Sequence, residues 1–141
     1  MRNNIIDQKE QGWIDHYGFI LVAFAHMTDW YIADSELQVI SDKMEFMISN
    51  TNQSYNPERV AQKIVKVINR YNTFTEDNDK MDALFNSCAA LKKEPWFDNL
   101  ASLLLLENLA EIAEADHKIE ETEIHFLKSI ADVFGINPPK I

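Results

Sequence analysis

The chain has 141 residues, 46% of them hydrophobic, and a formal net charge of −10. This length fits one domain with a sizeable core, and the acidic balance argues against duplex nucleic acid or an anionic membrane as a partner. The single cysteine, Cys88, rules out an internal disulfide. Only three glycines and four prolines, set against helical periodicity, predict an all-α fold.

Nothing in the chain indicates secretion or membrane insertion. The polar residues 1–12 lack the basic-then-apolar build of a signal peptide. The longest apolar run, Gly18 to Ala25, is shorter than the roughly 20 residues that span a bilayer. We therefore expect a cytoplasmic protein that is not an integral membrane protein. Cations or a basic protein surface are the natural counterparts of its charge.

The first two helices differ in how much of their surface is apolar. The first is predicted from about Gln8 to Asp29, and its second half is apolar on every side, which suits an enclosed helix. Gly18 within it marks either a bend or a close helix contact. The second helix is predicted to start near Asp34 or Ser35. Its predicted buried stripe consists of Leu37, Ile40, Met44 and Met47.

The third helix has two faces of opposite character. Asn56 as cap, followed by Pro57 at the first helical position, predicts its start. The favoured interpretation of its basic face is a solvated surface that balances an acidic molecule. The alternative is a docking site for an acidic partner, or for the acidic turns of this fold. The apolar face carries Val60, Ile64, Val67, Ile68 and Tyr71, and the basic face Arg59, Lys63, Lys66 and Arg70.

Three more helices complete the chain. Thr75 is the predicted cap of the fourth, whose apolar side includes Met81 and Cys88, so that we expect a buried thiol. The fifth is predicted to open at Pro95, and its four successive leucines cover the whole circumference, which predicts a central helix. The sixth is predicted from about Glu121 to Phe134, ending at Gly135. The expected common core contains Leu103, Leu104, Ile20, Phe24, Leu127 and Ile130.

A sequence pattern occurs twice, 87 residues apart. D-x-x-I-x-x-x-E begins at Asp29 and again at Asp116, and each copy is followed by an amphipathic stripe. We predict one domain over 1–141, a helical bundle with two pseudo-symmetric helix–acidic turn–helix repeats. The first repeat covers about 8–50, the linking helices about 57–93, and the second repeat about 95–135.

The two acidic turns are the candidate site. Asp29 and Asp116 fall at helix C-termini, where the helix dipole disfavours a negative charge, so that a cation or the turn's own amides must stabilise them. Glu36 and Glu123 fall in the first turn of a helix, where a carboxylate is stabilising without a metal. A purely structural turn and a metal site both remain open. If metal binds, all-oxygen ligands favour Ca²⁺ or Mg²⁺ over zinc.

Other chemistries have less support in the sequence. An EF-hand loop fails because both copies lack its initial Asp and central Gly. Glu114-x-x-His117 has the spacing of a di-iron motif, but Met27 replaces the glutamate in the other copy. There is no Gly-rich phosphate loop, no G-x-S-x-G and no recognisable Cys–His pair. We therefore expect a protein that is not an enzyme.

A helix that ends in Ala-Asp, a turn with an aliphatic residue, and Glu opening a new helix together resemble the TerB (tellurite resistance) family. The resemblance is best over Ala110 to Phe134 and weaker over Val22 to Met47. Trp30 and His117 stand where the family pattern leads us to expect Gly after the Asp.

This resemblance implies a non-enzymatic helical module in tellurite or chemical stress resistance. Metal binding through acidic residues, here Asp29, Glu36, Asp116 and Glu123, is what it suggests for the turns. Protein partners complete this interpretation. The alternatives are a metal-free interaction domain, which would use the basic face or the aromatics Trp13, Tyr55 and Trp96 as exposed contacts, and a small carboxylate metalloenzyme.

Overall fold

The computed structural model describes the backbone of residues 2–29, 34–50, 57–115 and 121–138, and the side chains of 13–26, 35–47, 58, 60–115 and 121–138. Within these ranges all regular structure is helical, with no strand, which confirms the predicted all-α fold of six helices. The helices are α1 (Arg2–Asp29), α2 (Asp34–Asn50), α3 (Pro57–Asn72), α4 (Asp77–Lys92), α5 (Asn99–Glu114) and α6 (Glu121–Phe134).

Helix α1 is the centre of the bundle. It packs against each of the other five helices, and every side chain from Phe19 to Ala25 is fully buried, as its uniformly apolar sequence predicts. Gly18 marks a close helix contact: a Cβ there would lie 3.0 Å from Cε of Met44 and 3.2 Å from Cγ2 of Val67. The helix begins earlier than predicted, at Arg2, because residues 2–8 contain no Gly or Pro to stop it.

Two of the predicted helix starts are wrong. Glu76, not Thr75, is the cap of α4, and its side chain makes no capping bond. Pro95 does not open α5; it lies in a turn, and the helix begins after Asp98. Asp98 is the stronger start signal because its Oδ1 accepts a hydrogen bond from the backbone N–H of Ala101 at 3.0 Å. The predicted start of α3 at Pro57 is confirmed.

The end of α6 follows from one glycine. Gly135 has φ +69°, a left-handed conformation that glycine adopts without steric cost. Its N–H donates to the carbonyl of Asp132, and the N–H of Ile136 donates to that of Ala131, both at 3.2 Å. This pair of bonds is the Schellman motif, and the partly buried Ile136 packs against the core beside it.

The fifth helix is not central. It packs against α1, α2 and α6, and the described structure leaves one of its sides open. Leu103 is therefore 37% exposed and Leu104 only partly buried, although both were expected in the core. Met81, which was predicted on the apolar side of α4, is likewise 38% exposed. The other core predictions, Ile20, Phe24, Leu127 and Ile130, are confirmed as buried.

Helices α2 and α6 bury corresponding positions in the two copies of the repeat. Glu36 and Glu123 are almost fully buried, at 1% and 2% exposure. The next residues, Leu37 and Ile124, are half-buried and exposed, so the prediction that Leu37 belongs to the buried stripe is wrong. Both helices are thus turned so that the glutamate faces inward. The later positions of the stripe are buried in both copies of the repeat. The equivalent buried residues are Ile40 and Leu127, Met44 and Ala131, and Met47 and Phe134.

Substituting leucines on opposite sides of α5 should test which side of this helix faces the core. Leu105→Ala, at a fully buried position, should lower the free energy of unfolding by about 2–5 kcal/mol. Leu100→Ala, at a position that is 75% exposed, should change it by less than about 0.5 kcal/mol. Urea denaturation of both variants provides the measurement. Equal losses would contradict the orientation of the helix.

Candidate functional site

The candidate site begins with two carboxylates at the starts of α2 and α6. Glu36 and Glu123 are each the third residue of their helix. The backbone N–H groups and the helix dipole stabilise a negative charge at this position. Burial acts in the opposite direction because a carboxylate loses its hydration. The fold therefore places two charged groups, related by the sequence repeat, where something other than bulk water must stabilise them.

The structure describes less of the two aspartates in the predicted metal set than of the two glutamates. Asp29 is the last residue of α1, as predicted, but its side chain lies outside the described residues. Asp116 lies wholly outside them. Among the described side chains, no group of three or more His, Cys, Asp or Glu residues is close enough to hold a metal ion. The metal set of Asp29, Glu36, Asp116 and Glu123 stays a prediction.

The surroundings of α2 and α6 are alike. Each packs against both α1 and α5, the two helices that precede the acidic turns. Helix α3 covers α2 in addition, and α4 covers α6. Helices α2 and α6 thus both pack against the same two helices, α1 and α5.

Polar side chains of α1 bond to different neighbouring helices. The ring Nδ1 of His16 lies 3.1 Å from Oγ of Ser87 in α4. The Nδ2 amide of Asn108 in α5 donates to the hydroxyl of Tyr17, and burial raises the pKa of that tyrosine well above its usual range. Such bonds satisfy polar groups that the core would otherwise leave without water. Sequence reasoning missed them, although Asn108, a polar residue directly before Leu109 in a leucine-rich helix, was the available signal.

A further hydrogen bond, near the C-terminal end of α1, connects this helix to α3. Nδ1 of His26 and the hydroxyl of Tyr71 are 2.7 Å apart. Burial, together with the charge of Asp77, raises the pKa of Tyr71 to about 12. This tyrosine therefore stays protonated near neutral pH and holds α3 in place.

Cys88 is a buried thiol, as predicted. Burial raises its pKa to about 12. A nucleophilic cysteine requires the thiolate, so this residue is not suited to that role near neutral pH.

The basic face of α3 is divided. Lys63 points inward, 5% exposed, and its Nζ donates to Oδ1 of Asp15 at 3.1 Å. Lys66 and Arg70 are exposed and line an open cleft of about 250 Å³ with Asp15 and Val67. The guanidinium of Arg70 also lies 4.7 Å from the ring centre of Phe19. The prediction of a uniformly solvated basic face is therefore wrong at Lys63, and the side chain of Arg59 lies outside the described residues.

The three aromatic residues predicted to be exposed have different outcomes. Trp13 is 6% exposed, because it packs edge-to-face against Tyr17 and Trp96, so that prediction is wrong. Trp96 is 39% exposed, as predicted. Tyr55 lies outside the described residues.

The fold and the candidate site define a small, acidic, all-helical domain built around one enclosed helix. A family model described as "Tellurite resistance protein TerB" matches residues 51–141. The chain therefore belongs to the TerB family, which confirms the resemblance. The matched range contains the stronger motif, Ala110 to Phe134, whereas the weaker one, Val22 to Met47, precedes it. No curated protein and no solved structure matches the chain significantly.

The lengths and hydrophobicity of the helices bear on membrane insertion. Within the described ranges, none of the helices is both long enough and apolar enough to cross a bilayer. This is the result expected from the short apolar run in α1.

The position of His16 predicts a pH effect on stability. Burial, and next the charge of Arg70, lower its pKa from the ordinary value of 6.5, against opposing contributions from Asp15 and Glu94. On acidification the unfolded chain therefore binds a proton at this residue before the folded chain does. The stability that the neutral imidazole contributes is present above pH 6.5 and is lost as the pH falls through the lower folded pKa.

His16→Gln should therefore lose less stability than the parent between about pH 7.5 and about pH 5. Urea unfolding at both values measures this difference. Gln62→Ala, which changes an exposed residue of α3 and removes no titratable group, is the control and should match the pH dependence of the parent. An unchanged pH dependence in His16→Gln would exclude His16 as its source.

Proposed function

We propose that this TerB-family protein is a non-enzymatic cytoplasmic module, which binds a cation at its two acidic turns and acts through protein partners. The family name refers to tellurite resistance, which supports a role in the response to tellurite or other chemical stress. The observation that carries the proposal is the matched burial of Glu36 and Glu123.

The energetic argument concerns what balances those two carboxylates. A buried carboxylate loses favourable hydration, and a helix N-terminus typically returns only about 0.3–1 kcal/mol, rising to about 2 in partly buried geometries. A nearby cation would add a strong and specific contribution to the interactions that Glu36 and Glu123 already make. The same cation would stabilise Asp29, which the helix dipole disfavours at the end of α1, and Asp116, its counterpart in the sequence repeat. One bound ion thus accounts for all four acidic positions.

The donor set limits which ion would fit. Carboxylate oxygens are hard ligands, which suit Ca²⁺ or Mg²⁺, and Ca²⁺ accepts six to eight of them in flexible geometries. Asp29, Glu36, Asp116 and Glu123 would hold the ion, with backbone carbonyls or water completing its coordination. The ion would supply charge neutralisation and would link the starts of α2 and α6. This role is structural and regulatory and requires no reaction.

A metal-free interaction domain is the second candidate. It is favoured by the exposed Lys66 and Arg70 beside the cleft and by the exposed Trp96. In this alternative the buried glutamates only stabilise the helix starts, and partner binding alone is the function.

Charge-neutralising substitutions distinguish these candidates by the sign of their effect. If the four carboxylates approach one another, their repulsion destabilises the protein without metal. Asp116→Asn should then raise the thermal midpoint of the metal-free protein at low salt and reduce its stabilisation by Ca²⁺. Asp29→Asn should behave in the same way if the turns share one site. A ligand at 100 times its Kd stabilises by about 2.7 kcal/mol, so thermal unfolding can detect the difference.

Asp132→Asn is the matched control, because Asp132 is an exposed aspartate of α6 away from its first turn. It should respond to Ca²⁺ as the parent does. The cation hypothesis fails if both turn substitutions destabilise the protein in every buffer while Ca²⁺ leaves the parent unchanged. In that case the aspartates accept hydrogen bonds within their turns, and the metal-free interaction domain is correct.

A further inference from the structure

Helix α5 presents one side that is apolar in its first half and acidic in its second half. Six of its residues lie within an arc of about 100°, because an α-helix has about 3.6 residues per turn. We name these residues the α5 stripe. The stripe consists of Leu100, Leu103, Leu104, Glu107, Glu111 and Glu114.

The stripe faces away from the core. Leu100 is 75% exposed and Leu103 is 37% exposed, while Leu104 is partly buried. The three glutamates are exposed. The opposite side of the helix is continuously buried, so α5 already has a complete set of core contacts. That buried side consists of Ser102, Leu105, Leu106, Asn108, Leu109, Ile112 and Ala113.

Positions of the first repeat that correspond to the α5 stripe are buried by neighbouring helices. In the sequence register of the repeat, Leu100 corresponds to Trp13 and Glu107 to Ile20 of α1, 87 residues earlier. Both α1 residues are buried, because α1 is surrounded by five helices. Within the part of the chain that the structure describes, the corresponding positions of α5 are exposed, and this helix packs mainly against α1, α2 and α6. Leucines exposed in this way on a helix are typical of a surface that binds another helix.

The charge of α5 indicates what kind of helix fits. The helix contains six leucines and three glutamates but no Lys, Arg or His. Glu111 and Glu114 lie in its last turn, where the helix dipole disfavours negative charge. Lys43 of α2 forms an ion pair with Glu111. A partner with further positive charge at this end would oppose the same unfavourable field.

We propose that the α5 stripe binds an amphipathic helix of a partner protein, which places apolar side chains over Leu100 and Leu103 and Lys or Arg side chains over Glu107 and Glu114. A second copy of α5 fits less well, because it would bring further glutamates and no basic residue. None of the stripe residues belongs to the proposed cation ligands, so partner binding at the stripe does not require a bound cation.

Synthetic peptides test the proposal on the full chain. One labelled helical peptide has leucine and lysine at the spacing of the stripe's leucines and glutamates, and a second has the reverse order for antiparallel docking. Fluorescence anisotropy should show binding of one of them, weakened by added salt. Leu100→Ser should weaken binding at least tenfold, the size of a hot-spot loss. Glu107→Lys should also weaken it, and a peptide with glutamate in place of lysine should not bind.

Val65→Ser is the matched control, because Val65 is a 58% exposed apolar residue on α3, away from α5. It should bind like the parent. The proposal is overturned if neither lysine peptide binds, if Leu100→Ser binds as tightly as Val65→Ser, or if the glutamate peptide binds equally well. Sedimentation that shows a dimer, abolished by Leu100→Ser, would assign the surface to a second copy instead. Unchanged stabilisation by Ca²⁺ in Leu100→Ser separates this result from the test of the cation site.

Discussion

The enclosure of α1 is the constraint on which the rest of this structure depends. The polar side chains along such a helix need partners on neighbouring helices, because packing removes much of their hydration. Asp15 binds Lys63 of α3, His16 binds Ser87 of α4, and Tyr17 binds Asn108 of α5. These consecutive residues point to three different helices. Each bond thereby fixes one neighbour along α1, and the apolar contacts hold the neighbours close.

Close approach to α1 is the second part of this constraint. Gly18 follows the three polar residues directly and lets Met44 of α2 and Val67 of α3 pack against the backbone. A side chain at this position would have to displace Met44 or Val67 by a few tenths of an ångström. Specific polar bonds and one small residue therefore occupy a single turn of the helix. This turn sets the positions of four other helices.

The distribution of charge follows from the same architecture. With α1 enclosed, most of the described acidic side chains are exposed on the helices and loops around it. Glu36 and Glu123 are exceptions, since they are buried at the first turns of α2 and α6. Such a position tolerates a buried carboxylate better than any other in a helix, because the backbone N–H groups point towards it. The α5 stripe shows the opposite arrangement, with exposed glutamates near a helix C-terminus.

Local chemistry alone predicted a good part of this molecule. Pro57 starts a helix and Gly135 ends one through interactions with residues at most a few positions away, so the sequence contains the whole cause. The uniformly apolar segment of α1 likewise had no side suited to water. The repeat of Asp29 and Glu36 at Asp116 and Glu123 was visible as spacing, and the placement of both glutamates near helix starts followed from it.

Only the tertiary structure decided which side of each outer helix faces water. The hydrophobic effect has no direction, so four successive leucines in α5 do not specify which of them lies inside. Packing on α1, α2 and α6 buries Leu105 and Leu106 and leaves Leu103 exposed. Trp13 was predicted to be exposed, yet Tyr17 and Trp96 enclose it. Such outcomes depend on helices distant in the chain, whereas helix starts and ends depend on neighbouring residues.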